Sequence, residues 1–456
     1  MLKSSVFKVV LTVMLLSLAG ATAEAAPPKP KALSWDRLTR TIEATSPLMQ
    51  AARAGLRTFE AKLKQAQWAY FPSFTFNTVL GPTPKITGNA LRSVTDTSRW
   101  GYYVRAEVTV VQPVYTFGKI SALKRAAKHG VAIGKALVST ARWELRLRTS
   151  QAYYGVLLSQ ELDRILKAGK RWLKRAEARM DALRARDDDD YNQNEHLRLK
   201  TRVSEFYALE AENKRLHVSS TQGLRLLLSA PVSHKVKLAE KHLTPIKVNI
   251  QPAETYWALA KRAAPGLLIA RAKHAANAAL HAKRRADLFP DLVLIGSAGI
   301  GHSDVVTSQP SVFAVNPFHP LATATIALRW SLDVVQRVFK MREASATAAV
   351  SAHQAALLAQ QTELRVRQLV QRLISSSKLM AVYRRSRKAA QGWLMASWDL
   401  YEDGFGDFRS VMESLVQFYQ KRFAYLQTVF QHNTLVFELS AAVGHDIRKL
   451  RKPSRK

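Results

Sequence analysis

The chain has no cysteine, so neither a disulfide framework nor an acylated cysteine at a mature N-terminus is available to it. Past residue 26 it has no stretch of 18 consecutive apolar residues, which excludes a transmembrane helix. Its 12 histidines form no HExxH, no His-rich tract and no defensible ligand spacing, and they read as isolated surface residues. There is no GxxxxGK followed by Ser or Thr. Gly404-Phe405-Gly406 follows no strand and precedes no Lys-Ser/Thr pair, so it reads as a chain reversal and not as a phosphate loop. The carboxylates show no pairing that suggests acid/base work. No catalytic residue, metal or cofactor is expected, and the chain is not read as an enzyme. Proline is missing from about Phe117 to Arg186, where glycine is also sparse.

What is present begins with a sorting signal. Lys3 and Lys8 precede an apolar run from Val9 to Ala19, followed by the small-residue sites Ala21-Thr22-Ala23 and Ala23-Glu24-Ala25. That is the order of a cleaved secretory signal over residues 1–25, and its apolar core is well short of the ~20 residues that span a bilayer. The formal charge is +35, from 69 Lys and Arg against 34 Asp and Glu. Such a balance often accompanies nucleic acid, but an exported chain seldom meets it and no recognition motif is visible. Anionic lipid headgroups, an anionic solute or a solvated coat on long helices suit the compartment better.

The stretches YFPSFTFNTVLG (70–81) and LFPDLVLIGSAG (288–299) carry the same aromatic-proline entry into an alternating apolar run, 218 residues apart. The same offset carries Pro47 onto Pro265, Ala52-Arg53-Ala54 onto Ala270-Arg271-Ala272, Ala126 onto Ala344, Leu197 onto Leu415 and Tyr207 onto Tyr425. An ungapped register of this length is an internal duplication, with a period far too long for a solenoid. The first repeat covers 26–250 and ends in a linker, the second covers 251–445, and 446–456 is a basic C-terminal tail. Each repeat reads as a helical stretch (34–69, 253–287), a strand (72–80, 290–299), a loop rich in Gly, Pro, Ser and Thr, and a second strand (102–112, 322–332). Two long helical stretches follow, divided by an acidic or glycine-bearing break.

In the first strand Phe74, Phe76, Thr78 and Leu80 share a face. In the second, Val104, Ala106, Val108 and Val110 lie opposite Arg105, Glu107 and Thr109, and the residues 218 further on keep this parity. About ten residues, one face apolar, with Phe71, Trp100, Tyr102, Phe289 and Trp330 near the ends, match outer-membrane barrel strands and their aromatic girdles. An ordinary sheet packed on a core has the same alternation, but leaves unexplained why only four strands interrupt a helical chain. Four strands cannot close a barrel, for which about eight is the minimum, and an open edge cannot rest in lipid. Strands from several copies must then be pooled under cyclic symmetry. Two copies supply eight strands; three supply twelve, with room for a pore.

The proline-free stretch from about Phe117 to Arg186 makes a rod of about 100 Å. Leu162, Leu166, Gly169, Leu173, Ala176, Met180 and Leu183 form a heptad seam along it, as do Tyr419, Phe423, Leu426, Phe430, Asn433 and Phe437 in the last helix. The reversals fall at ARDDDDYNQN (185–194) and YEDGFGDF (401–408).

With these features in place, the mature chain from about 33 to 445 resembles the outer-membrane efflux protein family, the TolC-like channel-tunnels. The resemblance is carried by the doubled FP entry, by VVQPVYTFGK (110–119) where strand becomes helix, by the turn YEDGFGDF and by LSAAVG (439–444). It implies a mostly α fold with a transmembrane β part and two tandem repeats. Long coiled-coil hairpins would form an α-barrel, and four strands per chain would join a trimeric 12-stranded β-barrel. It further implies a homotrimer in the outer membrane of a Gram-negative envelope that reaches into the periplasm. An equatorial region would lie near the chain's middle and C-terminus, and the lower end would open like an iris. Partners would be a periplasmic adaptor, an inner-membrane pump or ABC transporter, and outer-membrane lipid. The chain departs from the family pattern at SLDVVQR (331–337), where Gln336 stands in place of the glycine matching Gly118, and in its unusual basicity.

In such a trimer the tip acids Asp187, Asp188, Asp189, Asp190, Asp399, Glu402, Asp403 and Asp407 become rings of carboxylates at a constriction, which bind and select cations. Asp187–Asp190 can equally end a helix and stay hydrated. The neighbouring Arg184, Arg186, Arg384, Arg385 and Arg387 could instead bridge to the acids and lock the tip. Gly404, Phe405 and Gly406 are candidates for adaptor contact, and Arg105, Glu107 and Arg329 for the barrel lumen. The alternative function is an exported basic coiled-coil protein that binds anionic surface polymers or lipids. That reading has no use for the strand parity shared by the two repeats.

Overall fold

The computed structural model describes residues 33–89, 92–187, 191–231, 236–306 and 321–450. The expected signal segment, Asp188, Asp189, Asp190 and residues 451–456 lie outside them. The first set of elements is α1 (Trp35–Thr45), α2 (Pro47–Trp68), β1 (Ser73–Asn89), β2 (Arg92–Tyr115), α3 (Lys119–Ala185) and α4 (Gln193–Leu227). The second has the same order: α5 (Ala253–Ala263), α6 (Pro265–Ala286), β3 (Asp291–Ser303), β4 (Leu321–Arg329), α7 (Val334–Glu402) and α8 (Phe408–Val443).

Each opening helical stretch, expected as one piece, is two helices broken at a proline. Ser46 and Ala264 both sit in extended backbone, with ψ of 128° and 118°, because the ring of the following proline disfavours the helical region. Pro47 and Pro265 then start the next helix at a position whose missing N–H costs nothing.

The four strands form one antiparallel sheet in the order β1-β2-β3-β4. Much of the expected loop 81–100 is strand instead. β1 pairs with β2 from Ser73↔Val111 to Asn89↔Arg92, with one shift between Pro84 and Lys85. A turn-rich composition loses here to a partner that supplies the ladder bonds. Pro82 and Pro84 are tolerated because β1 is an edge strand. β2 has 24 residues against nine for β4. A tilted membrane strand needs about 9–11 residues, so the β1–β2 hairpin is longer than a single crossing of a bilayer would require.

Below the sheet, α3 and α7 are single helices of 67 and 69 residues, each about 100 Å long. Long helices need partners along their length. On α3 the sheet-proximal half is covered by α2 and α6 and the distal half by α4 and α8; α7 is covered by α6 and α8. Close approach of α2 is possible because Gly130 and Gly134 leave room for the Phe59 ring, which a Cβ at Gly134 would meet at 2.9 Å. The two strand-to-helix corners differ. Phe117 and Gly118 turn the first with φ of 49° and 88°. In the second, α7 starts three residues earlier by the repeat register, with Asp333 at the N-cap position at φ −77°, so Gln336 stands inside the helix and no glycine is required.

Two buried clusters lie at mid-height. One joins Trp35 of α1, Tyr153, Tyr154 and Leu157 of α3, and Phe437 of α8; the other joins Tyr256, Leu267, Leu369, Leu373 and Leu439. Residues 446–450, read as tail in the sequence, belong to this body. Ile447 is 1% exposed, and Arg448 pairs with Asp446 at 2.7 Å while lying over the Phe437 ring.

Candidate functional site

The register places every even-numbered strand residue of the paired core on one face. Phe74, Phe76 and Leu80 stand across from Val110, Val108 and Val104; Val108 meets Ala298, and Leu294 and Leu292 meet Ile326 and Leu328. This face is apolar and exposed: Phe74, Phe76 and Leu80 are each about 70% accessible. A contiguous exposed apolar face of this kind marks an interaction or membrane surface and not the scattered apolar residues of a soluble monomer. The opposite face carries Thr75, Asn77, Arg105, Glu107, Thr109, Ser297, Thr323 and Arg329. Arg105 pairs with Glu107 at 3.0 Å, Ser297 with Thr323 at 2.8 Å, and Arg329 stands opposite Asp291 in the ladder. Arg105, Glu107 and Arg329 thus share the wet face. Exposed rings mark the end of the greasy face near the helices: Trp68 packs on Phe71 at 4.2 Å, Phe117 stacks on Phe289 at 5.4 Å, and Trp330 donates to the Leu288 carbonyl.

At the far end of the rods the two reversals lie close together. α3 stops at Ala185, and Asp187 takes a left-handed turn with φ of 52°. Asn192 caps α4 by accepting from the N–H groups of Asn194 and Glu195. α7 stops at Glu402; Gly404 has φ of 79°, and the N–H groups of Phe405 and Gly406 both reach the Leu400 carbonyl at 3.0 and 2.9 Å. Gly406 packs too tightly on the backbone of Leu400 and Tyr401 to accept a Cβ. Asp407 caps α8 through the Ser410 N–H at 2.8 Å. The turn therefore presents Phe405 outward, 87% exposed.

Asp187, Asp399, Glu402, Asp403 and Asp407 are all exposed. Among the described residues none of them is in a salt bridge, and none is bridged by Arg184, Arg186, Arg384, Arg385 or Arg387; Arg387 lies instead over the Tyr425 ring at 5.1 Å. The tips are held by other contacts. Trp172 of α3 meets Trp398 of α7 edge-on at 4.4 Å, and Arg179 lies 4.9 Å over Tyr401. These contacts couple the two hairpins, and no repeat or motif announces them.

The histidines are not all on the surface. His196 at the first tip is buried, bonded to the Tyr191 hydroxyl at 3.2 Å with Asp181 at 3.6 Å. His432 is buried where α8 meets the linker, between Ser376 at 3.0 Å and the Ile246 carbonyl at 3.2 Å. Burial lowers its proton affinity, and the Ile246 carbonyl restores part of it. Beside it Asn433 donates to the Thr244 carbonyl and accepts from the Ile246 N–H. Among the described residues no group of His, Asp or Glu could hold a metal ion, and no helix is long and apolar enough to cross a membrane.

Residues 38–188 match the family model described as outer membrane efflux protein. No curated protein matches the chain. The outer-membrane channel OprN superposes with a TM-score of 0.75 at 16% identity, covering 91% of this chain and 90% of its own. The CmeC outer membrane channel of Campylobacter jejuni gives 0.75 at 13%, covering 90% and 86%. The open state of the Neisseria gonorrhoeae MtrE outer membrane channel gives 0.73 at 14%, covering 91% and 89%. At these identities the likeness is one of fold: four strands and long helical rods in the arrangement of outer-membrane channels.

Proposed function

We propose that this chain, which carries the outer membrane efflux protein signature over residues 38–188 and a channel fold through nine-tenths of its length, is the exit duct of a tripartite efflux or type I secretion system. It sits in the outer membrane, extends into the periplasm and catalyses no reaction.

The observation that carries this reading is the sheet. It has a greasy exposed face, a wet face, and two edge strands, β1 and β4, at the ends of its order. Backbone groups on such edges are satisfied in lipid only when sister copies close the ring. Three copies give twelve strands, enough for an open lumen, lined by Arg105, Glu107 and Arg329. The rods then surround a periplasmic tunnel whose lower mouth carries rings of Asp187–Asp190, Asp399, Glu402, Asp403 and Asp407. Gly404, Phe405 and Gly406 face the adaptor; the exposure of Phe405, anchored by a rigid turn, supports that role. Transport is passive, powered by an adaptor-linked inner-membrane pump or ABC transporter. A free coiled-coil protein offers no account of the exposed apolar sheet face.

The test is the mass of the detergent-purified complex together with its conductance in planar bilayers. A trimer with heat-modifiable mobility and low closed-state conductance is expected, and D189K/D407K should raise that conductance. A soluble monomer without detergent overturns the proposal, while unchanged conductance of the variant removes the gating role of the acids alone.

A further inference from the structure

The positive charge of the chain is unevenly placed. The sheet and its flanking loops, residues 70–118 and 287–333, hold five Lys and Arg against six Asp and Glu. The helical segments nearest the sheet, 47–68, 119–150, 265–286 and 334–362, hold 20 against three. Within that layer many cations crowd toward the sheet. Lys62 and Lys64 stand near the end of α2, Lys124 and Lys128 near the start of α3, Arg285 at the end of α6, and Lys340 near the start of α7. All six are exposed. The acids at the helix–strand junctions are already taken: Asp291 by Lys119, Asp287 by Lys283 and Asp333 by Arg337, at 2.6–2.8 Å; Glu60 and Glu343 lie further along α2 and α7. Among the described residues none of the six cations is in a salt bridge.

At about 1.5 Å per helical residue, each lies within about 15 Å of its helix–strand junction. That junction is where the exposed rings of Trp68, Phe71, Phe289 and Trp330 end the greasy face. Lys64 is one turn from Trp68 on the same face of α2, and the Arg342 guanidinium lies 5.7 Å over the Phe339 ring. Ring and cation stacked along one helix suit a membrane interface, where rings settle among headgroups and long cationic side chains reach phosphates. A headgroup layer of roughly 5–8 Å and a Debye length of about 8 Å together cover the whole band.

We infer that these cations form a collar that binds the anionic glycerophospholipid headgroups of the leaflet on the helical side of the sheet. The inference rests on the reading of the chain as a barrel-forming duct. A lipid surface is favoured over an anionic solute inside the duct because the excess charge stops at the rings. The wet face of the sheet, which lines any path through the membrane, has its Arg105 balanced by Glu107.

The experiment reconstitutes the full chain in phosphatidylcholine vesicles and measures the association of spin-labelled phosphatidylglycerol relative to spin-labelled phosphatidylcholine. Because a cation close to an anionic surface favours it about fivefold, the wild type should prefer phosphatidylglycerol at least about threefold. The preference should vanish at high salt and in K64Q/K124Q/K128Q/K340Q. Equal association in the wild type at low salt overturns the collar, as does a preference that survives both salt and substitution. A variant that alters only the ion selectivity of the pore shows cations lining the tunnel, and also overturns it. Conductance of the same vesicles separates the two proposals. A chain that conducts without lipid preference refutes the collar alone, and one that never enters the membrane refutes both.

Discussion

Asn433 offers a quantitative test of how the linker is held at mid-height. Its side chain is fully buried on α8 and straddles Pro245, accepting from the Ile246 N–H at 2.8 Å and donating to the Thr244 carbonyl at 2.9 Å. His432 takes the Ile246 carbonyl, so consecutive α8 residues hold both backbone groups of one linker residue. In N433A two hydrogen bonds worth about 1 kcal/mol each are lost, and a half-buried N–H left unmade costs about another 1 or more. The sum, about 2–4 kcal/mol, falls on opening of the linker and not on the whole molecule. At about 1.4 kcal/mol per decade, protection of the Ile246 amide against hydrogen exchange should drop on the order of 10²-fold. Mass spectrometry of peptides covering 243–250 reads this directly, with β2 around Val108 as the internal control. Unchanged exchange at Ile246, or an equal rise at Val108, would refute the clasp.

Three further outcomes follow from other contacts. F76K places a charge on the greasy face, where it costs about 2–4 kcal/mol near the bilayer midplane, and should abolish heat-modifiable assembly; T75K, one residue away on the wet face, should assemble normally. W398A removes the edge-on contact with Trp172, worth about 0.5–1.5 kcal/mol beyond its buried area, and should expose 399–407 to proteolysis; cleavage at the wild-type rate would deny the latch. Because burial holds the folded pKa of His432 below its ordinary value of 6.5, its contribution is complete above that pH and is lost as pH falls through 6.5 toward the folded value. Protection over 243–250, corrected for the slowing of intrinsic amide exchange at lower pH, should therefore fall on acidification, and H432Q should flatten the response.

The sheet was legible in the sequence because alternation has a period of two and the doubled copy repeats it: Phe74, Val108, Leu294 and Ile326 share the face that parity assigned. The long rods were legible because α3 lacks proline. Local chemistry misled where a distant partner decides. Residues 81–89 have turn composition but become strand because β2 pairs with them, and α1 with α2 reads as one helix until Pro47 is weighed. Of the tip residues, Asp407 emerges as a helix cap and Phe405 as an outward ring. The contacts that join the hairpins escaped notice, since Trp172 and Trp398 share no repeat register. His432 escaped too, because one histidine on a helix gives no sign of the linker that will cover it.

The unbroken course of α3 and α7 has a mechanical consequence. Neither has a proline or π-type interruption at which it could hinge, so each behaves as a stiff beam that bends only gently. From the mid-height cluster around Leu157 to Ala185 the beam is about 40 Å long. A pivot of about 5° there would sweep the mouth sideways by nearly 4 Å at constant helix geometry. In the proposed duct, the lower end can then widen by leverage from above, without melting a single turn at the tip.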